Sequence, residues 1–361
     1  MLSKTWACGL EGVNGFPVQV ETFVSGGFVG FEIVGLPGAA VKESRDRIRA
    51  AIAVNGYQFP FGKVTVNLAP ADTRKEGTGF DLAIAMSVLS AAHPETFKDL
   101  EHTMLLGELS LQGQLMPVRG ALGIAITAAE NGFTSLILPK ENALECACLE
   151  NISVYPAQSL AEVYNHLSGK SLLTQQPHTS YDDLVSTTES GGDLKFVKGQ
   201  KLARKALEVA AAGGHNILLV GIPGSGKTML ARCLPGILPP LSYEESLETT
   251  LIHSASGYLP ANSGLITQRP FRSPHHSISM PAMIGGGNKA MPGEISLAHN
   301  GVLFLDELPE FQRSTLESLR QPLEDHAVCI NRVGGVHNYM CKAMLVVGMN
   351  LCTTDLIPCA C

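Results

Sequence analysis

Hydrophobic and polar residues alternate along the first part of the chain in a pattern that predicts short strands interleaved with helices. Strands are predicted at 18–24 and 31–34, where apolar and polar side chains alternate. Residues 41–54 repeat their apolar positions at helical spacing, whereas 81–92 is apolar on all sides and should form a buried helix. The same criteria predict strands at 63–68, 104–109, 134–138 and 152–155, and a helix over 121–131 that Gly132 ends.

The second part of the chain has short, continuous apolar runs separated by predicted helices. The runs 217–220, 302–305 and 343–349 contain no charged residue and are typical of strands buried in a parallel sheet. A glycine-rich turn follows the first run, two carboxylates follow the second, and an amide follows the third. Helices are predicted at 201–212, 242–254 and 314–323, and the second of these begins with the capping box Ser242 and Glu245.

Residues 171–192 lie between these two parts and are polar and acidic, with no lysine or arginine. Their composition is typical of a linker, although a surface loop within one domain would share it. We therefore predict an α+β domain at 1–170, a linker at 171–192, and an α/β domain with a doubly wound parallel sheet at 193–361. A chain of 361 residues is long enough for both domains to bury a core.

The composition is that of a soluble globular protein, with 45% hydrophobic and 16% charged residues. The N-terminus has no apolar run long enough for a signal peptide or membrane span, so we expect no membrane association and a cytoplasmic location. Because disulfides are rare in the cytoplasm, we expect free thiols at the nine cysteines. The net charge is −7, although 193–361 carries 14 basic and 13 acidic residues. This balance argues against non-specific coating of DNA and leaves open a basic channel inside an oligomer.

The glycine-rich turn matches the motif G-x-x-x-x-G-K-[ST] and lies between a predicted strand and a predicted helix. Its glycines allow successive backbone N–H groups to surround phosphates, the Lys227 ammonium can reach the β and γ oxygens, and the Thr228 hydroxyl can hold Mg²⁺. The motif therefore predicts an ATP or GTP site, the alternative being a structural glycine turn. Its residues are Gly221, Pro223, Gly224, Ser225, Gly226, Lys227, Thr228 and Met229.

Asp306 and Glu307 end the second apolar run, which is the Walker B pattern. Asp306 would help to hold Mg²⁺ from its second coordination shell, and Glu307 would orient and polarise the attacking water. Buried strands that end in acidic residues are common without any such role, so the assignment depends on the glycine-rich turn upstream.

Three stretches of the first domain resemble the C-terminal proteolytic domain of Lon-type proteases, a fold shared with ribosomal protein S5. They are residues 75–82, 114–120 and 128–142. Gly79 stands about where those proteases have a serine nucleophile, and Leu122 about where they have the activating lysine. Because glycine and leucine can neither attack a carbonyl nor accept a proton, we expect a packing or interaction module, with Ser87 and Ser90 as core residues.

The second domain resembles ring-forming AAA+ ATPases. Residues 196–200 lie one helix upstream of the glycine-rich turn, as does the segment that packs against adenine in those proteins, which implicates Val197 and Gly199. The same residues could simply cap a helix. Asn350 is placed like the sensor 1 residue, whose amide contacts the γ-phosphate or the water. The resemblance thus implies ATP and Mg²⁺ as ligands and catalytic roles for Lys227, Glu307 and Asn350.

Residues 269–277, 285–287, 292–311 and 319–324 closely resemble the magnesium-chelatase-like AAA+ proteins of the ComM and YifB group, which also place a Lon-like domain first. The resemblance covers nearly the whole chain and implies an ATP-driven hexameric ring that migrates DNA branches in recombination and natural transformation. We expect the segment between the two Walker motifs to face the centre of the ring, with Arg269, Arg272 and Lys289 available to phosphates. His275 and His276 lack a third ligand for zinc.

The end of the chain departs from the family pattern. It stops at Cys361, eleven residues after Asn350, without the arginine that reaches a neighbouring nucleotide or the lid with a second sensor arginine. A trans arginine contributes roughly 10³ to 10⁵ in rate, so we predict that the chain binds nucleotide better than it hydrolyses it. Cys352, Cys359 and Cys361, with Cys341, could be remains of a thiolate metal site, although a truncated or frameshifted reading frame explains this end better.

Three functions remain open at this stage. The leading hypothesis is an ATP-driven DNA motor; the alternatives are a chelatase-type ATPase subunit that remodels a protein partner and a non-catalytic nucleotide-binding interaction protein. The Lon-like domain favours the motor, because chelatase subunits resemble only the ATPase part.

Overall fold

The computed structural model describes residues 2–97, 99–186, 192–287, 290–332 and 335–350, and the chain divides into two compact units. The first unit comprises Met1–Tyr181 and His253–Leu265, and the second comprises Asp182–Ile252 and Ile266–Cys361. The crossing after Tyr181 falls inside the predicted linker. The return of residues 253–265 to the first unit was not predicted, since the sequence analysis placed this segment in the ATPase domain.

The first unit is a seven-stranded mixed sheet with helices, in the strand order β3-β4-β2-β1-β5-β8-β9. A further pair, β6 and β7, forms a small antiparallel ribbon. The strands are β1 Leu2–Glu11, β2 Asn14–Ser25, β3 Gly30–Val34, β4 Lys63–Ala69, β5 Thr103–Leu105, β6 Glu108–Leu109, β7 Leu115–Met116, β8 Ser135–Pro139 and β9 Ser153–Ala157; the helices are α1 Ala39–Val54, α2 Asp81–Ala92, α3 Ala121–Glu130 and α4 Leu160–Leu167.

The strands and helices predicted for the first domain are present in the structure, except that the strand predicted at 104–109 is divided into β5 and β6. The strand β1 was missed because its apolar residues do not alternate, yet it pairs with β2 along its whole length. Helix α2 is buried on nearly every side, as its uniform apolar composition predicted. Ser87 on this helix is fully buried, and its hydroxyl bonds the hydroxyls of Ser3 and Thr22, which confirms it as a core residue.

A buried ion pair fixes the start of α2. The Asp81 carboxylate is fully buried and accepts two hydrogen bonds from the Arg47 guanidinium of α1, at 2.9 and 3.2 Å, and one from the backbone N–H of Leu109. Burial raises the pKa of Asp81 from 3.8 to about 6, and the bonds from Arg47 oppose this rise without cancelling it. Asp81 therefore ionises at a higher pH in the folded protein than in the unfolded chain.

This pKa predicts a loss of stability as the pH rises through about 6, because the folded protein holds the Asp81 proton more tightly than the unfolded chain does. The difference from the ordinary value corresponds to about 3 kcal/mol in the free energy of unfolding. The substitution Asp81→Asn should remove this pH-dependent contribution. The free energy of unfolding of the variant should therefore fall less between pH 4 and 7 than that of the wild type. Urea unfolding followed by the fluorescence of Trp6, the single tryptophan, measures it. Asp46→Asn is the control, because Asp46 is an exposed carboxylate on α1. Equal pH dependence of stability in the wild type and in Asp81→Asn would contradict the prediction.

The second unit contains a four-stranded parallel sheet in the order β10-β17-β14-β11, which confirms the predicted parallel arrangement. Its strands and those of the small ribbons are β10 Ile217–Gly221, β11 Phe271–Arg272, β12 Gly285–Gly286, β13 Met291–Pro292, β14 Val302–Leu305, β15 Ala327–Arg332, β16 Gly335–Met340 and β17 Met344–Asn350. The helices from the linker onward are α5 Tyr181–Ser186, α6 Lys201–Gly213, α7 Lys227–Arg232, α8 Tyr243–Ser256, α9 Met280–Ile284, α10 Glu294–Leu297, α11 Arg313–Ser318 and α12 Arg320–Asp325.

The helix predicted over 314–323 is divided in the structure into α11 and α12. Pro322 explains the division, because a proline ring clashes with the carbonyl four residues earlier, and Ser318 is where α11 ends. The capping box is confirmed: the Glu245 N–H donates to the Ser242 hydroxyl at 3.2 Å, and the Ser242 N–H donates to the Glu245 carboxylate at 3.1 Å. The β15–β16 hairpin was not predicted.

Candidate nucleotide-binding site

The parallel sheet of the second unit brings the three chemically distinctive strand ends to one edge. Strands β10 and β17 are neighbours in register, with Gly221 opposite Asn350, and β17 also pairs with β14. The glycine-rich turn, Asn350 and the pair Asp306 and Glu307 therefore lie beside one another. The carboxyl edge of an open parallel sheet is where ligands bind in such folds.

The glycine-rich turn between β10 and α7 requires glycine at two positions. Gly224 and Gly226 have φ of 76° and 88°, in the left-handed region that other residues rarely adopt. The turn is closed by the Ser225 N–H, which donates to the Ile222 carbonyl at 3.3 Å. The sequence motif thus corresponds to a compact turn leading directly into a helix.

Lys227 is held at the centre of this edge by neutral acceptors. Its ammonium donates to the backbone carbonyls of Gly221 and Ile222, at 3.0 and 3.1 Å, and to the side-chain oxygen of Asn350 at 2.9 Å. Because none of these acceptors is a carboxylate, the positive charge is positioned without being neutralised. The structure therefore joins two of the three residues predicted to be catalytic.

Thr228 and Asp306 form the second link across the edge. The Thr228 hydroxyl donates to one Asp306 oxygen at 2.7 Å, and the other Asp306 oxygen accepts the Glu307 N–H at 3.1 Å. Gly348 on β17 makes room for this carboxylate, since a Cβ atom at 348 would lie 2.6 Å from it. A hydroxyl and a carboxylate are hard oxygen donors of the kind that Mg²⁺ prefers, so the pair predicted to bind the metal fits it.

Glu307 lies at the surface beside this link. Its backbone is left-handed, with φ of 55°, and its side chain is 52% exposed. The Nδ1 atom of His276 lies 3.6 Å from the Glu307 carboxylate. The contact between His276 and Glu307 was not predicted, because nothing in the spacing of the two residues along the chain indicates it.

The segment 196–200, predicted to lie beside adenine, contacts the glycine-rich turn through Gln200, a residue that was not among the predicted site residues. The Gln200 side-chain amide donates to the Ser225 carbonyl at 3.2 Å, and both Gly199 and Gln200 have left-handed backbones. The Val197 side chain is buried in the core of the second unit. Proximity of this segment to the turn is therefore a feature of the structure, while a contact with adenine stays a prediction.

The structure corrects the expectation that Arg269 and Arg272 are available to phosphates. The Arg269 guanidinium donates to the carbonyls of Pro239 and Asn300, at 2.6 and 2.7 Å, and pairs with Glu245 at 3.0 Å. Arg272 forms a bidentate pair with Glu294, with both distances 2.6 Å. Both guanidinium groups are thus used to hold loops of the second unit together. Lys289 lies outside the described residues.

The cysteines give no support to a metal site. Cys341 is buried and donates to the Pro322 carbonyl, whereas Cys352, Cys359 and Cys361 lie outside the described residues. Over the part of the chain that the structure describes, no cluster of three or more potential metal-binding side chains occurs. His275 and His276 therefore do not belong to such a cluster. Nor does that part contain a helix long and apolar enough to cross a bilayer.

The positions that resemble the protease dyad are occupied by packing residues. Leu122 is fully buried, and a Cβ atom at Gly79 would meet Leu106 at 3.0 Å. Next to Leu122, the buried Glu145 carboxylate accepts hydrogen bonds from the Ser254 hydroxyl and the Asn142 amide, at 2.5 and 2.7 Å. Burial raises the pKa of Glu145, and these donors oppose the rise. This network fastens residues 253–265 to the rest of the first unit.

Comparison with known proteins gives matches along nearly the whole chain. Residues 193–359 match the family model described as magnesium chelatase, subunit ChlI, and residues 20–142 match the one described as subunit ChlI of Mg-chelatase. The chain is 44% identical over 360 residues to an uncharacterized protein of Mycobacterium tuberculosis, which covers 99% of this chain and 70% of that protein.

Two named relatives cover a little less of the chain. The uncharacterized protein YifB of Salmonella typhimurium is 47% identical over 343 residues, and the competence protein ComM of Haemophilus influenzae is 43% identical over 340 residues. Each alignment covers 94% of this chain and 66% of the relative, so the chain spans slightly less than two thirds of their length.

The first unit has a weaker similarity to proteases. Lon protease 2 of Hydrogenovibrio crunogenus is 35% identical over 120 residues, which is 31% of this chain. This match agrees with the predicted Lon-like domain. The chelatase description of the model that matches 20–142, however, weakens the argument that a Lon-like domain speaks against a chelatase-type function.

Proposed function

The chain belongs to the magnesium-chelatase-like AAA+ family that includes YifB and ComM, and from this we propose that it binds ATP with Mg²⁺ and hydrolyses it. The observation that carries the proposal is the set of links at the carboxyl edge of the parallel sheet, Lys227 to Asn350 and Thr228 to Asp306. These two links join four polar residues from three sequence regions.

We assign the following roles to these residues, and the geometry of the site supports them. The turn 221–226 would surround the phosphates with backbone N–H groups, and the Lys227 ammonium would bind the β and γ oxygens. Thr228 and Asp306 would hold Mg²⁺, which neutralises charge on the phosphate oxygens when bound. Glu307 would accept a proton from the attacking water, and the Asn350 amide would orient that water or the γ-phosphate. The segment 197–200 would lie beside the adenine.

A finer proposal is that the chain acts in a ring-shaped, ATP-driven motor on DNA. The relative from Haemophilus influenzae is named a competence protein, and we extend this role, with a hexameric ring and a cytoplasmic location, to the present chain. Arg269 and Arg272 are not among the proposed DNA contacts, since both are engaged within the second unit. Of the three basic residues predicted to contact DNA, Lys289 alone stays a proposed contact.

A second candidate is a chelatase-type ATPase subunit that remodels a protein partner. It is favoured by the two family models, both of which carry the description of the chelatase subunit. A non-catalytic nucleotide-binding protein is the third.

ATP binding and ATP hydrolysis, each measured with and without branched or single-stranded DNA at low salt, separate these functions. We expect binding of a fluorescent ATP analogue and a hydrolysis rate that DNA raises several-fold. Turnover without any DNA effect would favour the chelatase-type function, and ATP binding without hydrolysis would favour the non-catalytic nucleotide-binding protein.

A further inference from the structure

We propose that His276 is a positioning residue for Glu307, holding its carboxylate in the orientation that activates the attacking water. The proposal rests on the proposed ATPase function and adds to it a residue outside both Walker motifs. The contact that suggests it is the 3.6 Å separation between His276 Nδ1 and Glu307 Oε2.

Glu307 needs an external partner to adopt one orientation. It follows the last residues of a buried strand, its side chain is 52% exposed, and its backbone hydrogen bond goes to Asp306 and leaves the carboxylate unconstrained. Among the described residues, His276 is the only basic side chain whose nitrogen lies within 4 Å of this carboxylate, and the contact is an ion pair when the imidazole is protonated. A freely rotating glutamate would spend most of its time away from the water, because each long side chain populates several rotamers.

The His276 ring is better fixed than its partner. It lies against the His275 ring at a centroid distance of 4.0 Å and against the edge of Phe311 at 6.4 Å, and only 33% of its side chain is exposed. His275 is in turn held by a 2.8 Å hydrogen bond between its Nδ1 and the Ser277 hydroxyl. An aromatic side chain packed in this way can orient a more mobile carboxylate.

The separation of 3.6 Å is slightly longer than a hydrogen bond, so His276 would donate to Glu307 after a small rotation of the glutamate side chain. A carboxylate has about four lone-pair positions, so it can accept one bond from the imidazole and still accept a proton from water. His276 would therefore act on the orientation of Glu307, and Glu307 alone would act on the water.

The test is the steady-state kinetics of ATP hydrolysis by the full chain and its variants. His276→Ala is expected to lower kcat about 10-fold with KM within about twofold, because misplacement of a catalytic group costs rate and leaves binding intact. His276→Asn, whose amide N–H can occupy the place of Nδ1, should recover most of the loss. His215→Ala is the matched control, since His215 is exposed at the amino end of β10, on the opposite edge of the sheet.

A double-mutant cycle separates positioning from a structural effect. If His276 acts through Glu307, then His276→Ala lowers kcat in the wild type and has no further effect in Glu307→Gln. Equal losses in both backgrounds, or no loss in His276→Ala, would overturn the proposal, as would ATP binding without any hydrolysis that depends on Glu307. A chain that binds no ATP would instead overturn the proposed function itself.

Discussion

Glu307→Gln is expected to reduce kcat for ATP hydrolysis by about 10² to 10³ and to leave ATP affinity within about threefold. A positioned general base contributes on the order of 10² to 10⁴ in rate, and glutamine has nearly the same shape but cannot accept the proton of water at neutral pH. The residue lies beside the Thr228–Asp306 link and outside it, so the groups proposed to bind ATP and Mg²⁺ are not altered.

Phosphate release under saturating ATP gives kcat, and titration with a fluorescent ATP analogue gives the affinity. Glu310→Gln is the matched control, because Glu310 is an exposed carboxylate in the turn that follows Glu307. A normal kcat in Glu307→Gln would show that another group activates the water. A parallel loss of affinity would show that this carboxylate belongs to the binding site.

Lys227→Ala is expected to weaken ATP affinity by about 100-fold. Charge-assisted hydrogen bonds contribute about 1.5–3 kcal/mol each, and a factor of 100 corresponds to about 2.7 kcal/mol, so the loss of one or two bonds to phosphate accounts for it. The substitution removes the charge and leaves the glycine-rich turn in place. The neutral oxygens of Gly221, Ile222 and Asn350 lose their donor, so a small decrease in stability is expected as well.

Equilibrium titration with an ATP analogue measures the affinity, and thermal unfolding of the same samples shows how much of the loss comes from the fold. Lys205→Ala provides the comparison, since Lys205 is an exposed lysine on α6. Unchanged affinity in Lys227→Ala would remove the basis for placing the β and γ phosphates at this residue. Together with Glu307→Gln, this variant distinguishes a binding defect from a defect in the chemical step.

The local features of the fold could be predicted from the sequence because their causes are local. The apolar period of α1, the uniformly apolar α2 and the unbroken apolar strands β14 and β17 each depend on residues within one segment. The glycine-rich turn is also local, since its left-handed positions must be glycine wherever the segment lies.

The neighbours of side chains could not be predicted in the same way. Arginine commonly binds phosphate, so Arg269 and Arg272 were predicted as phosphate ligands. Only the folded chain shows that Glu245 and Glu294 pair with them. The contact of His276 with Glu307 and the return of residues 253–265 to the first unit are of the same kind. Each joins positions that are far apart along the chain.

The sequence by itself determined the strands and the glycine-rich turn around the site and the residue types that suit phosphate and Mg²⁺. Tertiary structure alone decided which charged groups remain for a ligand and which are used to hold the fold. The physical reason is that periodicity and turn chemistry act over a few residues, whereas an ion pair or hydrogen bond depends on distances that only the packing of distant segments sets.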